Sequence, residues 1–153
     1  MAITTGSAGR QLLLIEDEPN IAEAISFILG RDGWQVTHLS SGAEALAAAR
    51  RLRPELVILD HMLPGLSGLD VLATLRADPQ LRAVPVLMLT ARGQPRDREA
   101  AEKAGATHFM TKPFSNTEIV ELVRDLARSG DGAAGPAGTQ AGAEAGAGGP
   151  TAA

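Results

Sequence analysis

Leu56-Val57-Ile58-Leu59 runs apolar without interruption and stops on a carboxylate, Asp60, with the turn residues Pro64, Gly65 and Gly68 close behind. A run this short with no polar alternation fits a strand buried on both faces. This constrains the fold more than any other feature, because a strand covered on both sides needs other layers above and below it. It also places Asp60 at the carboxyl edge of a sheet, where open α/β sheets bind their ligands. The competing reading is that Asp60 only caps the next turn, as Asp often does. Taken alone, the stretch leaves both open.

The same pattern recurs along the chain. Leu12-Leu13-Leu14-Ile15 ends on Glu16-Asp17-Glu18, Val84 to Leu89 ends on Thr90-Ala91, and Thr107 to Thr111 ends on Lys112-Pro113. Trp34 to Leu39 alternates as a further strand. Between these runs the apolar residues fall at helical spacing. Pro19 suits a first helical turn, Ile21, Ile25, Ile28 and Leu29 follow it, and Gly30 and Gly33 end the run. Ser41-Gly42-Ala43-Glu44 and Ser115-Asn116-Thr117-Glu118 carry capping-box spacing. Arg53-Pro54 stops the helix that the first of these opens. Ser67 is placed to cap a helix carrying Leu69, Leu72 and Leu75, closed by Asp78-Pro79. Arg92 to Gly105 reads as a loop and a weak helix whose only apolar residues are alanines. Ile119, Leu122, Val123 and Leu126 give the last helix a firm apolar stripe.

Five alternations of strand and helix predict an α/β fold, a five-stranded parallel sheet doubly wound with right-handed crossovers. Residues 1–10 read as a flexible N-terminal arm, 11–128 as one folded domain, and 129–153, rich in Gly, Ala and Pro, as a disordered tail. The 153 residues suit one domain of this size. A net charge of −4 gives no basic footprint for nucleic acid, so no direct DNA binding is expected. The absence of cysteine excludes disulfides and thiolate metal sites. With no secretory pattern at the start and no apolar run long enough to span a bilayer, the expected location is cytoplasmic, away from membranes.

A parallel sheet puts the carboxyl ends of all its strands on one edge, which gathers Glu16, Asp17, Asp60, Thr90 and Lys112. Three carboxylates in one crevice repel. One divalent cation and one lysine ammonium balance them. Oxygen donors without Cys or clustered His favour a hard ion, Mg²⁺ or Mn²⁺. A carboxylate beside such an ion can attack phosphorus. Lys112 and a hydroxyl such as Thr90 can then stabilise the transferring oxygens.

These residues, with Met62-Leu63-Pro64-Gly65-Leu66-Ser67-Gly68 after the third strand, make residues 11–128 resemble the receiver domain of two-component response regulators. This is the chemotaxis-regulator-like family, with a flavodoxin-like (βα)5 fold and strand order 2-1-3-4-5. The resemblance implies that Asp60 is a phosphoacceptor served by a sensor histidine kinase, a phosphotransfer protein or acetyl phosphate. It implies Mg²⁺ held by Asp17, Asp60 and the backbone carbonyl of Met62, with Glu16 acting through water. Lys112 would pair with the phosphoryl group, Thr90 would move to bond it, and Phe109 would be the aromatic switch that turns inward. The expected protein is a phosphorylation switch rather than an enzyme, catalysing only its own phosphoryl transfer and dephosphorylation. Its signal would leave through the face built by the Arg92–Gly105 helix, the fifth strand and the last helix, toward a downstream protein target.

The family's usual Asp-Asp pair is here Glu16-Asp17, and the longer carboxylate can still hold a water. His61 is read as solvent-facing or simply packed rather than as a modulator of the site. The positions that influence hydrolysis in this family are Met62 and Arg92, neither an orienter of water, so a long-lived aspartyl phosphate is expected. Asp97, Glu99 and Glu102 facing Lys103, Arg124 and Arg128 read as a solvated surface, consistent with a monomer or weak dimer. An FMN binder is disfavoured because Glu16-Asp17-Glu18 would repel its phosphate. A haloacid-dehalogenase-type phosphohydrolase is disfavoured because Met62 stands where its second Asp belongs. The remaining alternative is a scaffold that keeps the receiver fold and binds partners independently of phosphorylation.

Overall fold

Among the described residues, strands and helices follow one another in strict alternation, with one short 3₁₀ turn. The computed structural model describes residues 10–91 and 94–133, with side chains through Arg128. The elements are β1 (Arg10–Ile15), α1 (Pro19–Arg31), β2 (Trp34–Leu39), the 3₁₀ turn (Gly42–Glu44), α2 (Ala45–Leu52) and β3 (Leu56–Asp60). They continue with α3 (Gly68–Ala77), β4 (Val86–Thr90), α4 (Pro95–Ala104), β5 (His108–Thr111) and α5 (Asn116–Ala133). All strand pairs are parallel, in the order β2-β1-β3-β4-β5.

The uninterrupted apolar runs are explained by the layers. Every residue of β3 and of β4 is buried. Leu12, Leu14, Leu56, Ile58, Leu87 and Leu89 pack with Ile25 and Leu29 of α1 and Ile119 and Val123 of α5. Their neighbours Leu13, Ile15, Val57, Leu59, Val86 and Met88 pack on the other face with Ala48 of α2, Leu72 and Leu75 of α3, Ala101 of α4, and Phe109. Each fully buried Leu or Ile contributes about 2 kcal/mol relative to exposure, so the two half-cores hold β3 and β4 rigidly at the centre. The strand ends inherit that rigidity.

Several local expectations are corrected. Ser41 makes no side-chain cap; the chain winds a 3₁₀ turn in which Ala45 N–H donates to Gly42 O. Gly42 packs so closely that a Cβ there would lie 2.5 Å from Val71 Cγ2, which draws this turn tight against α3. Ser115 does form its box: Glu118 N–H donates to Ser115 Oγ at 3.0 Å and Ser115 N–H to Glu118 Oε1 at 2.7 Å. Ser67 forms another, reciprocally with Asp70. Gly30 lies inside α1, and the left-handed residue that follows the helix is Gly33, with φ of 98°. The fourth strand begins at Val86 rather than Val84, since Pro85 has no N–H to give a ladder. Arg10, assigned to the arm, opens β1 and donates to Glu55 at 2.7 Å. Helix α5 continues past Arg128 through Ala133, because each residue added to an established helix gains a hydrogen bond. The rest of the arm, residues 134–153 and Arg92 lie outside the described residues.

Candidate functional site

The strand order reverses between β1 and β3, and the crevice outside their carboxyl ends is where the acids meet. Asp60 is the last residue of β3 and only 3 % exposed. It continues the alternation of Leu56 and Ile58. Its main chain is clamped from behind: Gly68, the first residue of α3, sits where a Cβ would lie 2.2 Å from Asp60 O, and Gly68 N–H donates to His61 O at 3.0 Å. Here glycine is required by close approach of backbone to backbone. His61 N–H donates to Leu89 O at 2.7 Å, tying the loop to β4.

Glu16 follows β1 and is fully buried. Its main chain is fixed twice, by its N–H donating to Leu39 O at 3.0 Å and by His38 Nε2 meeting its carbonyl at 2.7 Å. His38 was not among the expected residues; an alternating edge strand gives no sign that one of its side chains will reach the next strand's end. Asp17, by contrast, is exposed. One carboxylate oxygen from each of Glu16, Asp17 and Asp60 can be chosen such that all lie within 4.8 Å of one another.

Lys112 closes the crevice from the end of β5. Its Nζ lies 3.0 Å from Glu16 Oε1 and 3.3 Å from Asp60 Oδ1. Met62 N–H also reaches Asp60 Oδ1, at 3.4 Å, while the Met62 side chain points outward and is 63 % exposed. Burial, and then the neighbouring Glu16 charge, push the Asp60 carboxyl up to about 7 against the pull of Lys112. Burial lowers Lys112, but its hydrogen bond to Glu16 and the charges of Asp60 and Glu16 outweigh that and raise it. Among the described residues, one ammonium thus serves two buried carboxylates, Glu16 and Asp60. Three carboxylates that can bring oxygens within 4.8 Å of one another around that single ammonium fit a hard divalent cation.

Thr90 ends β4 and is fully buried. It continues the alternation of Val86 and Met88, on the sheet face covered by α2, α3 and α4. Phe109 packs on that face too, paired in register with Met88, and is 7 % exposed. The acids and lysine therefore gather around the switch point, while Thr90 and Phe109 lie on the neighbouring strands β4 and β5, on the face covered by α2, α3 and α4. Arg98 of α4 stands over the Phe109 ring, a contact that a solvated-looking helix did not announce.

Fold and crevice together define a doubly wound α/β protein with an acidic, lysine-closed crevice at its topological switch point, whose carboxylates could hold a metal ion. More specifically, the chain belongs to the response regulator receiver domain family, whose model matches residues 12–124. Over 117 residues it is 47% identical to the probable transcriptional regulatory protein TcrX of Mycobacterium tuberculosis, covering 76% of this chain and 49% of that protein. Over 115 residues it is 40% identical to the DNA-binding response regulator MtrA of Mycolicibacterium smegmatis, covering 75% and 49%. The chain thus spans about half the length of these curated relatives. Among solved structures it resembles the Vibrio cholerae chemotaxis protein CheY4, with a TM-score of 0.74 at 28% identity over 78% of this chain and 99% of that one. The receiver domain of the sensor histidine kinase PA1611 of Pseudomonas aeruginosa, solved with magnesium in its active-site cleft, gives a TM-score of 0.74 at 32% identity over 79% and 99%. Among the described residues, no helix is long and apolar enough to cross a membrane.

Proposed function

We propose that this receiver is a phosphorylation-controlled switch whose acceptor is Asp60. An oxygen of the Asp60 carboxylate attacks the phosphorus of a phosphohistidine on a sensor kinase or phosphotransfer protein. The P–N bond breaks, and the imidazole leaves with a proton from solvent. Lys112, already 3.3 Å from Asp60 Oδ1, shifts its ammonium from the carboxylate to the phosphoryl oxygens. Thr90 supplies a hydroxyl to the same oxygens. Glu16, Asp17, Asp60 and the Met62 carbonyl would hold Mg²⁺, with Mn²⁺ as substitute; when bound, the cation neutralises charge on the transferring group. The chemistry is self-directed: the chain phosphorylates its own side chain and returns the phosphoryl group to water. Met62 offers no group to orient that water, which favours a phosphoryl lifetime of minutes rather than seconds. Phe109, already buried and packed in the core, shifts toward Thr90 within that core, and the face made by α4, β5 and α5 carries the change to a downstream protein. Where relatives of this family bind DNA, we assign that contact to segments outside the acidic receiver.

The observation that supports this best is that, among the described residues, one ammonium is shared by two buried carboxylates beside a third. It leaves negative charge for a divalent cation to balance, and a phosphoryl group would then lie between that cation and Lys112. The test is intact mass after incubation with acetyl phosphate, with and without Mg²⁺, on wild type and Asp60→Asn. The expected result is one Mg²⁺-dependent phosphoryl adduct that the variant lacks. An adduct retained by Asp60→Asn would overturn the assignment, as would none on wild type from acetyl phosphate and from a panel of phosphorylated donor proteins.

A further inference from the structure

Helix α4 is fastened by arginines more than by apolar packing. Its single fully buried residue is Ala101. A cavity of about 100 Å³ lies along its seam with β5, lined by Arg98, Glu102, Ala106, Thr107, His108 and Phe109. Side chains around unfilled space forgo dispersion contacts, so this seam contributes little to holding the helix down. Two other attachments take over, one at each end.

At the carboxyl end, Arg76 of α3 donates through Nε to Gly105 O at 2.8 Å. Its guanidinium is itself immobilised by Arg82 O at 2.9 Å and Val84 O at 2.7 Å. A Cβ on Gly105 would meet Arg76 Cγ at 2.8 Å, so the two are in tight contact. Toward the amino end, the Arg98 guanidinium sits 5.6 Å from the centre of the Phe109 ring. The first attachment is a half-buried, multiply bonded knot. The second is one cation–π contact made by an exposed side chain, of a kind that shifts an equilibrium by about two- to fivefold.

We propose that Arg98 is a latch. By covering Phe109 it holds the amino-terminal half of α4 against β5, and when the ring moves the latch opens and α4 swings about the end pinned by Arg76. The coupling to phosphorylation rests on the reading of Asp60, Thr90 and Phe109 given above. The latch itself exists in the unphosphorylated chain and can be tested there. Its consequence is that the position of α4 reports the state of Phe109 directly, with Ala101 the one fully buried residue the helix must reseat.

The experiment is amide hydrogen exchange followed by NMR on wild type, Arg98→Ala, Arg98→Lys and Arg76→Ala. In Arg98→Ala the amides of Arg98, Glu99 and Ala100 exchange about threefold faster, and those of Lys103, Ala104 and Gly105 are unchanged. Arg98→Lys, which keeps the cation, falls between. Arg76→Ala accelerates the carboxyl-terminal set. Treating wild type with acetyl phosphate and Mg²⁺ reproduces the Arg98→Ala pattern, and the same treatment adds nothing to Arg98→Ala. Unchanged exchange in Arg98→Ala overturns the latch, and uniform acceleration along α4 overturns the pinned hinge. If the adduct forms but wild-type α4 does not respond, the coupling is wrong. If no adduct forms, the phosphoacceptor reading fails while the latch still stands or falls on the untreated proteins.

Discussion

Asp60 is held in a place where its own charge is unwelcome. Its carboxyl is 3 % exposed and faces Glu16, and burial first and then that charge push it from 3.8 up to about 7. A carboxyl raised on folding contributes stability below its unfolded value, and loses it as pH climbs through the folded one. Cation-free protein should therefore weaken between about pH 4 and pH 7. Asp60→Asn, which removes the charge and keeps the shape, should be the more stable protein at pH 8, on the order of 2 kcal/mol. Urea unfolding of both proteins across that pH range in a chelator checks this; a variant no more stable than wild type would show that Lys112 fully compensates the acid. The candidate site was legible at this scale because Glu16, Asp60 and Thr90 are each the first polar group after an apolar run, with Asp17 and Lys112 one residue beyond such a position. His38, Arg76 and Arg98 were not legible. A charged or polar residue that turns back onto a backbone carbonyl or a ring has the same sequence signature as one that faces water.

The elements divide in the same way. Strands β3 and β4 could be read directly, since runs with no polar interruption admit little besides burial on both faces. Ser115 and Ser67 could be read as caps because their boxes need only local geometry. Ser41 could not, because its turn is decided by how closely Gly42 packs on Val71, a contact between residues far apart in the chain. Arg76 is the clearest case of an element-level role invisible in sequence. It joins α3, the loop before β4 and the turn after α4 through carbonyls of Arg82, Val84 and Gly105, and burial lowers its pKa. Removing it strands several partly buried acceptors, so Arg76→Ala should cost about 2–4 kcal/mol. A thermal melt reads this, and a loss below about 0.5 kcal/mol would place those carbonyls in water instead.

At the scale of the molecule, two half-cores fix the sheet while its carboxyl edge carries concentrated negative charge. A cation that binds the folded edge and not the unfolded chain stabilises by mass action, about 2.7 kcal/mol at a hundred times its dissociation constant. Wild-type melting temperature should therefore rise with Mg²⁺ and saturate, while Asp17→Asn and Asp60→Asn respond far less. An equal rise in all three would mean that the ion binds elsewhere. The looseness of α4 has a consequence of another kind. Beneath it lies β5, which among the described residues is an outermost strand paired with β4 alone, and an open strand edge invites other chains to add to it. Yet β5 is four residues long, shorter than the usual five or six, and exposes His108 and Thr111 at its two ends. An edge so short and polar is a poor template for association. If α4 opens as proposed, the face it shares with β5 loosens and closes again without the molecule becoming adhesive.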